Sequence, residues 1–192
     1  GASSMGLIHP SLDNDLGGSW RASTPTPGAR NSVFAENAPP QIRQVKHSPD
    51  QPPAGEAATI TAKVTDPDGV KSVTLLYQIV EAGSYIPAFL PLTHEELLVD
   101  PLRAREPNPE FEDPAAWTAA VMVDNGSGAD EEAHDDVFTV MVRPQPNRTL
   151  VRYRILAVDA ADPPASVRAP FADDASLNFA YFVYDGVPPY QP

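Results

Sequence analysis

The residues with the densest capacity for chemistry lie between Asp124 and Asp136, in the run DNGSGADEEAHDD. Four aspartates, Asp124, Asp130, Asp135 and Asp136, fall inside this run, and Gly126 and Gly128 let the backbone turn its carbonyls inward. A calcium ion takes roughly six to eight hard oxygens, which closely spaced Asp and Asn side chains and loop carbonyls can supply. The spacing is not an EF-hand, because no Glu follows at the bidentate closing position on a flanking helix. The same residues also suit a polar loop between two strands, its charges screened by water. Two readings therefore stand side by side: a weak structural calcium site on Asp124, Asp130, Asp135 and Asp136, or a solvated turn.

Other chemistries fail on residue type or spacing. The histidines are His9, His47, His94 and His134, and no pair of them has a zinc-binding spacing. His94-Glu95 lacks the second His of a metalloprotease helix. No serine sits in a G-x-S-x-G elbow. Gly17-Gly18-Ser19 and Gly126-Ser127-Gly128 are too short for a phosphate loop, and no Lys follows either at a helix start. Asp173-Asp174 has no second carboxylate placed opposite it and reads as a turn. The chain has no cysteine, which removes disulfides, thiolate nucleophiles and Cys-ligated zinc. The expectation is a non-enzyme with no cofactor beyond the calcium option.

Charge and composition bound the partners. With 13 basic and 26 acidic residues the formal charge is −13, a field that repels phosphate backbones, so nucleic acid is not an expected partner. No run approaches the roughly 18 apolar residues of a membrane span. The 23 prolines favour strands with rigid loops over long helices.

The elements that must position these residues read as strands. In Ala58–Ile79, ATITAKVTDPDGVKSVTLLYQI, apolar and polar residues alternate on both sides of the turn Asp66-Pro67-Asp68-Gly69. Further runs are Gln41–His47, Ala115–Val123, Val137–Arg143, Thr149–Asp159 and Asn178–Asp185. Glu81–Pro114 is too long for a hairpin loop and reads as an insertion. In it, Thr93-His94-Glu95-Glu96 fits a capping box that starts a short helix over Glu95–Val99, and Arg103–Pro114 reads as exposed loop. The fold class is all-β: an antiparallel two-sheet immunoglobulin-like sandwich with one long insertion at about 81–114. The expected core is Ile60, Val64, Val73, Leu75, Tyr77, Trp117, Val121, Val151, Tyr153 and Ile155.

Residues 1–37 form a separate stretch ahead of the sandwich at 38–192. GASSMG reads as a tag remnant, so an excised piece of a longer protein is expected. Gly17-Gly18-Ser19-Trp20, then Thr24-Pro25-Thr26-Pro27-Gly28 and Asn31-Ser32, resemble the closing end of a bacterial lamin-tail domain. On that resemblance Leu7–Asn31 is extended and ordered only where it borrows a partner. Met122-Val123-Asp124-Asn125-Gly126, Asp130 and Asp135-Asp136-Val137-Phe138-Thr139 resemble a run in immunoglobulin-like or fibronectin type III-like modules of bacterial secreted proteins. Such modules lie between a lamin-tail domain and a spore-coat-H-type kinase domain. Leu150–Ile155 and Asn178–Pro188 fit that setting, whereas His134-Asp135-Asp136 stands where the family has Gly-Asp-Gly. No kinase motif falls in this chain. The resemblance implies a non-catalytic structural or interaction module of a large secreted or cell-surface protein, with neighbouring domains of the same chain as partners and a protein or glycan as ligand. The alternative is a carbohydrate-binding module, with Trp20, Tyr85, Phe89, Phe111, Tyr184 and Tyr190 as candidate aromatics.

Overall fold

The alternation in Ala58–Thr65 decides the geometry of the molecule. In the computed structural model, which describes residues 3–172 and 174–186, Ala58, Ile60, Ala62 and Val64 are all buried and the residues between them are partly exposed. Ahead of this strand the chain forms β1 (Ser4–Leu7), β2 (Trp20–Ser23) and β3 (Gln41–Ser48). Next come β4 (Ala58–Thr65) and β5 (Val70–Val80), joined by the Asp66–Gly69 turn, in which the Gly69 amide donates to the Asp66 carbonyl. The remaining strands are β6 (Thr118–Met122), β7 (Val137–Val142), β8 (Leu150–Asp159), β9 (Ser166–Ala169) and β10 (Phe179–Phe182).

β3, β4 and β7 form one antiparallel sheet in that order. The second has β5 between β6 and β8, with β9 and β10 both on the far edge of β8. β9 pairs with Ile155–Val158 and β10 with Leu150–Tyr153, so two short strands share one edge position. The inward residues of both sheets merge into one core that includes Ile60, Val64, Val73, Leu75, Met122, Val151, Tyr153, Ile155 and Tyr181. Each fully buried aliphatic side chain contributes about 1.5–3 kcal/mol. The architecture is thus an all-β, antiparallel, two-sheet sandwich with one long insertion.

A bulge in β3 reconciles its sequence with this core. Ile42 and Val45 are three apart, so simple alternation would put them on opposite faces. The register shifts between Arg43 and Lys46, with Gln44 at φ 52°, and both apolar residues pack on the core.

Three expected core positions need correction. Val121 is 71% exposed, and Met122 points inward in its place. The register pairs Val73 with Met122 and Leu75 with Ala120, so the inward set is one residue out of phase with the expected one. AAVMV is apolar at every position, so period two carries no phase there, and a one-residue slip flips the strand. Trp117 is only half-buried, and it packs on Phe111 of the insertion. Tyr77 is half-buried against the core rim.

The insertion is more ordered than expected. α1 (His94–Val99) begins at Thr93, whose hydroxyl accepts from the Glu96 amide while the Glu96 carboxylate accepts from the Thr93 amide. The Arg103–Pro114 stretch contains a second short helix, α2 (Pro109–Glu112), capped by Asn108. Phe111 on α2 is fully buried. The N-terminal stretch also has structure of its own. β1 pairs antiparallel with β2, and Ile8, Leu12 and Ala38 form a small separate cluster. It touches the sandwich through Gln41 Nε2, which donates to Ser19 Oγ at 2.7 Å, and through the Arg21 guanidinium, 3.8 Å over the Phe171 ring. Among the described residues no helix is long and apolar enough to cross a membrane.

Candidate functional site

The acidic run joins β6 to β7, and its aspartates serve the loop's own backbone. Asp124 Oδ1 accepts from the amides of His134 at 2.5 Å and Asp135 at 3.3 Å, and its Oδ2 accepts from the Asp136 amide at 3.1 Å. Asp130 is buried, 5% exposed. Its Oδ2 accepts from the amides of Asn125 at 2.5 Å and Gly126 at 2.7 Å, and its Oδ1 from the Thr139 hydroxyl at 3.4 Å. Asp135 Oδ1 accepts from the Val137 amide at 2.9 Å, and the Asp136 carbonyl accepts from Val64 on β4. Charge-assisted bonds of this type are stronger than neutral ones. They explain how the loop holds His134 at φ 63° and Asp136 at φ 66° without a glycine at either position. At Gly126, φ 64°, a Cβ would lie 3.0 Å from the Ala133 amide nitrogen, so a glycine is required.

Asp124 and Asp130 therefore cap two different stretches of the same loop. Among the described residues, no group of three or more His, Asp or Glu side chains is arranged to hold a metal ion. Asp124, Asp130, Asp135 and Asp136 are thus all brought into one loop, with the carboxylates of the first three bonded to loop amides. A groove of about 620 Å³ lies between the loop and the outer face of the β3-β4-β7 sheet, with Lys46, Thr59, Thr61 and Asp130 among its walls. Among the described residues, none of the histidines belongs to a metal-holding group. His47 is tied to the core, with Nδ1 3.0 Å from the Tyr153 hydroxyl and its ring 5.1 Å from that of Tyr181.

A second constellation lies on the outer face of the larger sheet, under the insertion. β8 alternates, so Arg152 and Arg154 both point away from the core, yet each is only 3% exposed. Arg154 is fully partnered. Its Nη1 and Nη2 donate to the two Glu112 carboxylate oxygens at 3.0 and 2.6 Å, and its Nε donates to the Leu177 carbonyl at 2.7 Å. Its guanidinium lies 4.2 Å from the Trp117 ring and 4.8 Å from Phe111. Hydrogen bonds from Arg154 hold the Glu112 carboxyl below its ordinary range. Arg168 adds a third charge, 3.5 Å from Glu112.

Arg152 is different. Its guanidinium lies 4.2 Å from the Tyr85 ring, and Nη1 donates to the Ile86 carbonyl at 2.6 Å. Burial lowers its pKa below the usual arginine value. It borders a cleft of about 360 Å³ between the insertion and residues 175–178, walled also by Tyr85, Phe89, Arg105 and Asn178.

The candidate glycan-binding aromatics divide accordingly. Phe111 is fully buried, and Trp20 donates its indole N–H to the Asn14 carbonyl beside the N-terminal stretch. Tyr184 is half-buried, and Tyr190 lies outside the described residues. Tyr85 and Phe89 share the Arg152 cleft. Arg152 and Arg154 are not among the sites expected from sequence. Their signal is present in VRYRIL, where charge recurs on a strand whose other face is core, opposite an insertion that carries Tyr85 and Phe111. No protein-family model matches the chain, and no curated protein matches it.

Proposed function

We propose that this chain is a non-catalytic, immunoglobulin-like structural or interaction module of a larger secreted or cell-surface bacterial protein. It holds its neighbours at a fixed spacing, in the setting that its likeness to lamin-tail-associated modules implies. The observation that supports this is what the polar groups do. Asp124 and Asp130 brace a loop, Asp159 accepts from Asn37 and the amides of Ala161 and Ala165, and Glu112 pins the insertion. The aspartate bonds brace the end of the sandwich where the chain enters β3, and Glu112 ties the insertion to the larger sheet, which suits a spacer. Asn37 leads into β3 and bonds to Asp159 at 2.6 Å, so the entering chain is anchored where it meets the sandwich. The test is twofold. The purified chain should unfold in one cooperative step, and it should not turn over a panel of phosphoesters, peptides and glycosides. Turnover that disappears on substitution of one polar residue would overturn the reading.

The carbohydrate-binding reading is favoured at one place. Tyr85 and Phe89 present rings to an open cleft that also holds arginines, which is an arrangement for a ligand rather than a core.

A further inference from the structure

Arg152 and Arg154 lie two residues apart on the same face of β8 and are equally buried, but only Arg154 has a carboxylate. Among the described residues Arg152 has no ion pair, and its Nη2 has no hydrogen-bond partner. Gln78, its register partner on β5, is 6% exposed, and its Nε2 is also without a partner. Both orphans are donors, so what this place lacks is an acceptor. A buried donor without one costs about 1–3 kcal/mol, and more when it is charged.

The cleft beside Arg152 has the opposite character to the rest of the molecule. The chain has twice as many acidic as basic residues, yet the described lining of this cleft holds Arg105 and Arg152 and no Asp or Glu. Arg105 is exposed, lies 4.5 Å over the Phe89 ring, and has no ion pair among the described residues. Tyr85, 62% exposed, stacks over Arg152 at the wall of this cleft.

We propose that this cleft binds an acidic saccharide, with Arg152 and Arg105 holding the sugar carboxylate and Tyr85 and Phe89 stacking on the C–H face of the ring. This rests on the carbohydrate-binding reading above and adds the charge of the ligand. Guanidinium forks match a planar carboxylate in bidentate fashion. Gln78, beside Arg152 across the β5–β8 register, is a second buried donor at the same place.

The experiment is a ¹H–¹⁵N correlation titration of the full chain with trigalacturonate, with neutral trigalactose, and with inorganic phosphate at matched ionic strength. Trigalacturonate should shift signals from residues 85–89, 105, 150–152 and 175–178. Arg105→Gln, at an exposed position that leaves the fold intact, should weaken that binding by about fivefold or more, as loss of a charge-assisted contact implies. Arg152→Gln should weaken it further, and if that variant does not fold, Arg105→Gln decides alone. No shifts in this cleft, or unchanged affinity in Arg105→Gln, would overturn the proposal and leave water as the acceptor. Trigalactose bound equally well in the same cleft would refute the acidic ligand while leaving the carbohydrate reading standing. Phosphate bound more tightly than the trimer would refute the saccharide.

Discussion

Removing Glu112 tests whether the insertion is a bound part of the sandwich or an appendage lying on it. Glu112 is the only acid among the described residues within ion-pair distance of Arg154 and Arg168. Arg154 keeps only its Nε bond to Leu177 once Glu112 is gone, with both Nη groups buried and unpaired. Leaving one member of a buried ion pair alone costs about 3–5 kcal/mol. The Glu112 side chain is 35% exposed, so water reaches the vacated site and relieves part of that penalty. We therefore expect Glu112→Ala to cost about 2–3 kcal/mol, below the fully buried case. The double variant Glu112→Met/Arg154→Met should recover most of the loss, because an apolar pair of similar volume often matches a buried ion pair.

Urea unfolding followed by tryptophan fluorescence reads this directly, since Trp117 lies against both Arg154 and Phe111. A Trp20→Phe background isolates its signal. The pH dependence carries a definite sign. The Glu112 carboxyl is held low in the folded state, so its contribution is complete above the ordinary Glu pKa and is lost as pH falls through the folded value. The gap between parent and Glu112→Gln should thus close in acid. A loss under about 0.5 kcal/mol, within the range of an exposed surface pair, would refute the reasoning. So would a gap that widens as pH falls.

Other outcomes follow from the same structure. Ile155 is fully buried at the centre of the core, so Ile155→Ala should lower stability by about 2–5 kcal/mol in denaturant melts. Thermal midpoints in calcium and in chelator should coincide if the amide bonds of Asp124 and Asp130 are all these carboxylates do; a rise with calcium that Asp130→Ala abolishes would establish a cation site in the β6–β7 loop. Burial raises the Tyr181 pKa to about 12 and pushes Tyr153 higher still. Raised folded values favour the neutral phenols, so stability should be full below about pH 10, the unfolded tyrosine value, and fall as pH climbs above it, as thermal melts across that range would show. Truncation to Asn37 should leave a cooperative fold, since Ile8, Leu12 and Ala38 form a cluster apart from the main core; failure to fold would mean that Ser19 and Arg21 complete the sandwich.

Legibility in the sequence tracked how uneven the pattern was. Ala58–Thr65 alternates strictly, and its four apolar residues all point inward. The capping box at Thr93 starts α1 one residue from the expected position, because its two reciprocal bonds are local and need nothing from the rest of the fold. Where the signal is uniform it loses phase: in AAVMV the choice between Val121 and Met122 is made by pairing with β5, which lies more than forty residues back. The acidic loop was legible as a charge cluster and illegible as a hydrogen-bond plan. Its aspartates find their amide donors through turns at positive φ, adopted here by His134 and Asp136 without the glycines that would have announced them.

The insertion shows why the second site was the harder one to read. A strand that alternates core and charge predicts a wet outer face, and Arg152 and Arg154 obey that pattern in β8. What the pattern omits is the cover. Phe111 and Tyr85 come from a stretch with too many prolines and charges to look like a packing element, yet with Trp117, which follows it, their rings bury both guanidinium groups. Aromatic faces accept a cation where aliphatic side chains would only desolvate it, so arginine and aromatic residues form a second layer that no hydrophobic period reveals. Within that layer the two arginines divide by partner. Arg154, matched to Glu112, fixes the insertion to the sheet; Arg152, with no acid among the described residues, leaves a buried positive charge beside an open cleft. A charge kept out of water without its counterpart is disfavoured on stability grounds alone. That cost is what makes Arg152, rather than the crowded acidic loop, the residue from which a function for this sandwich is best argued.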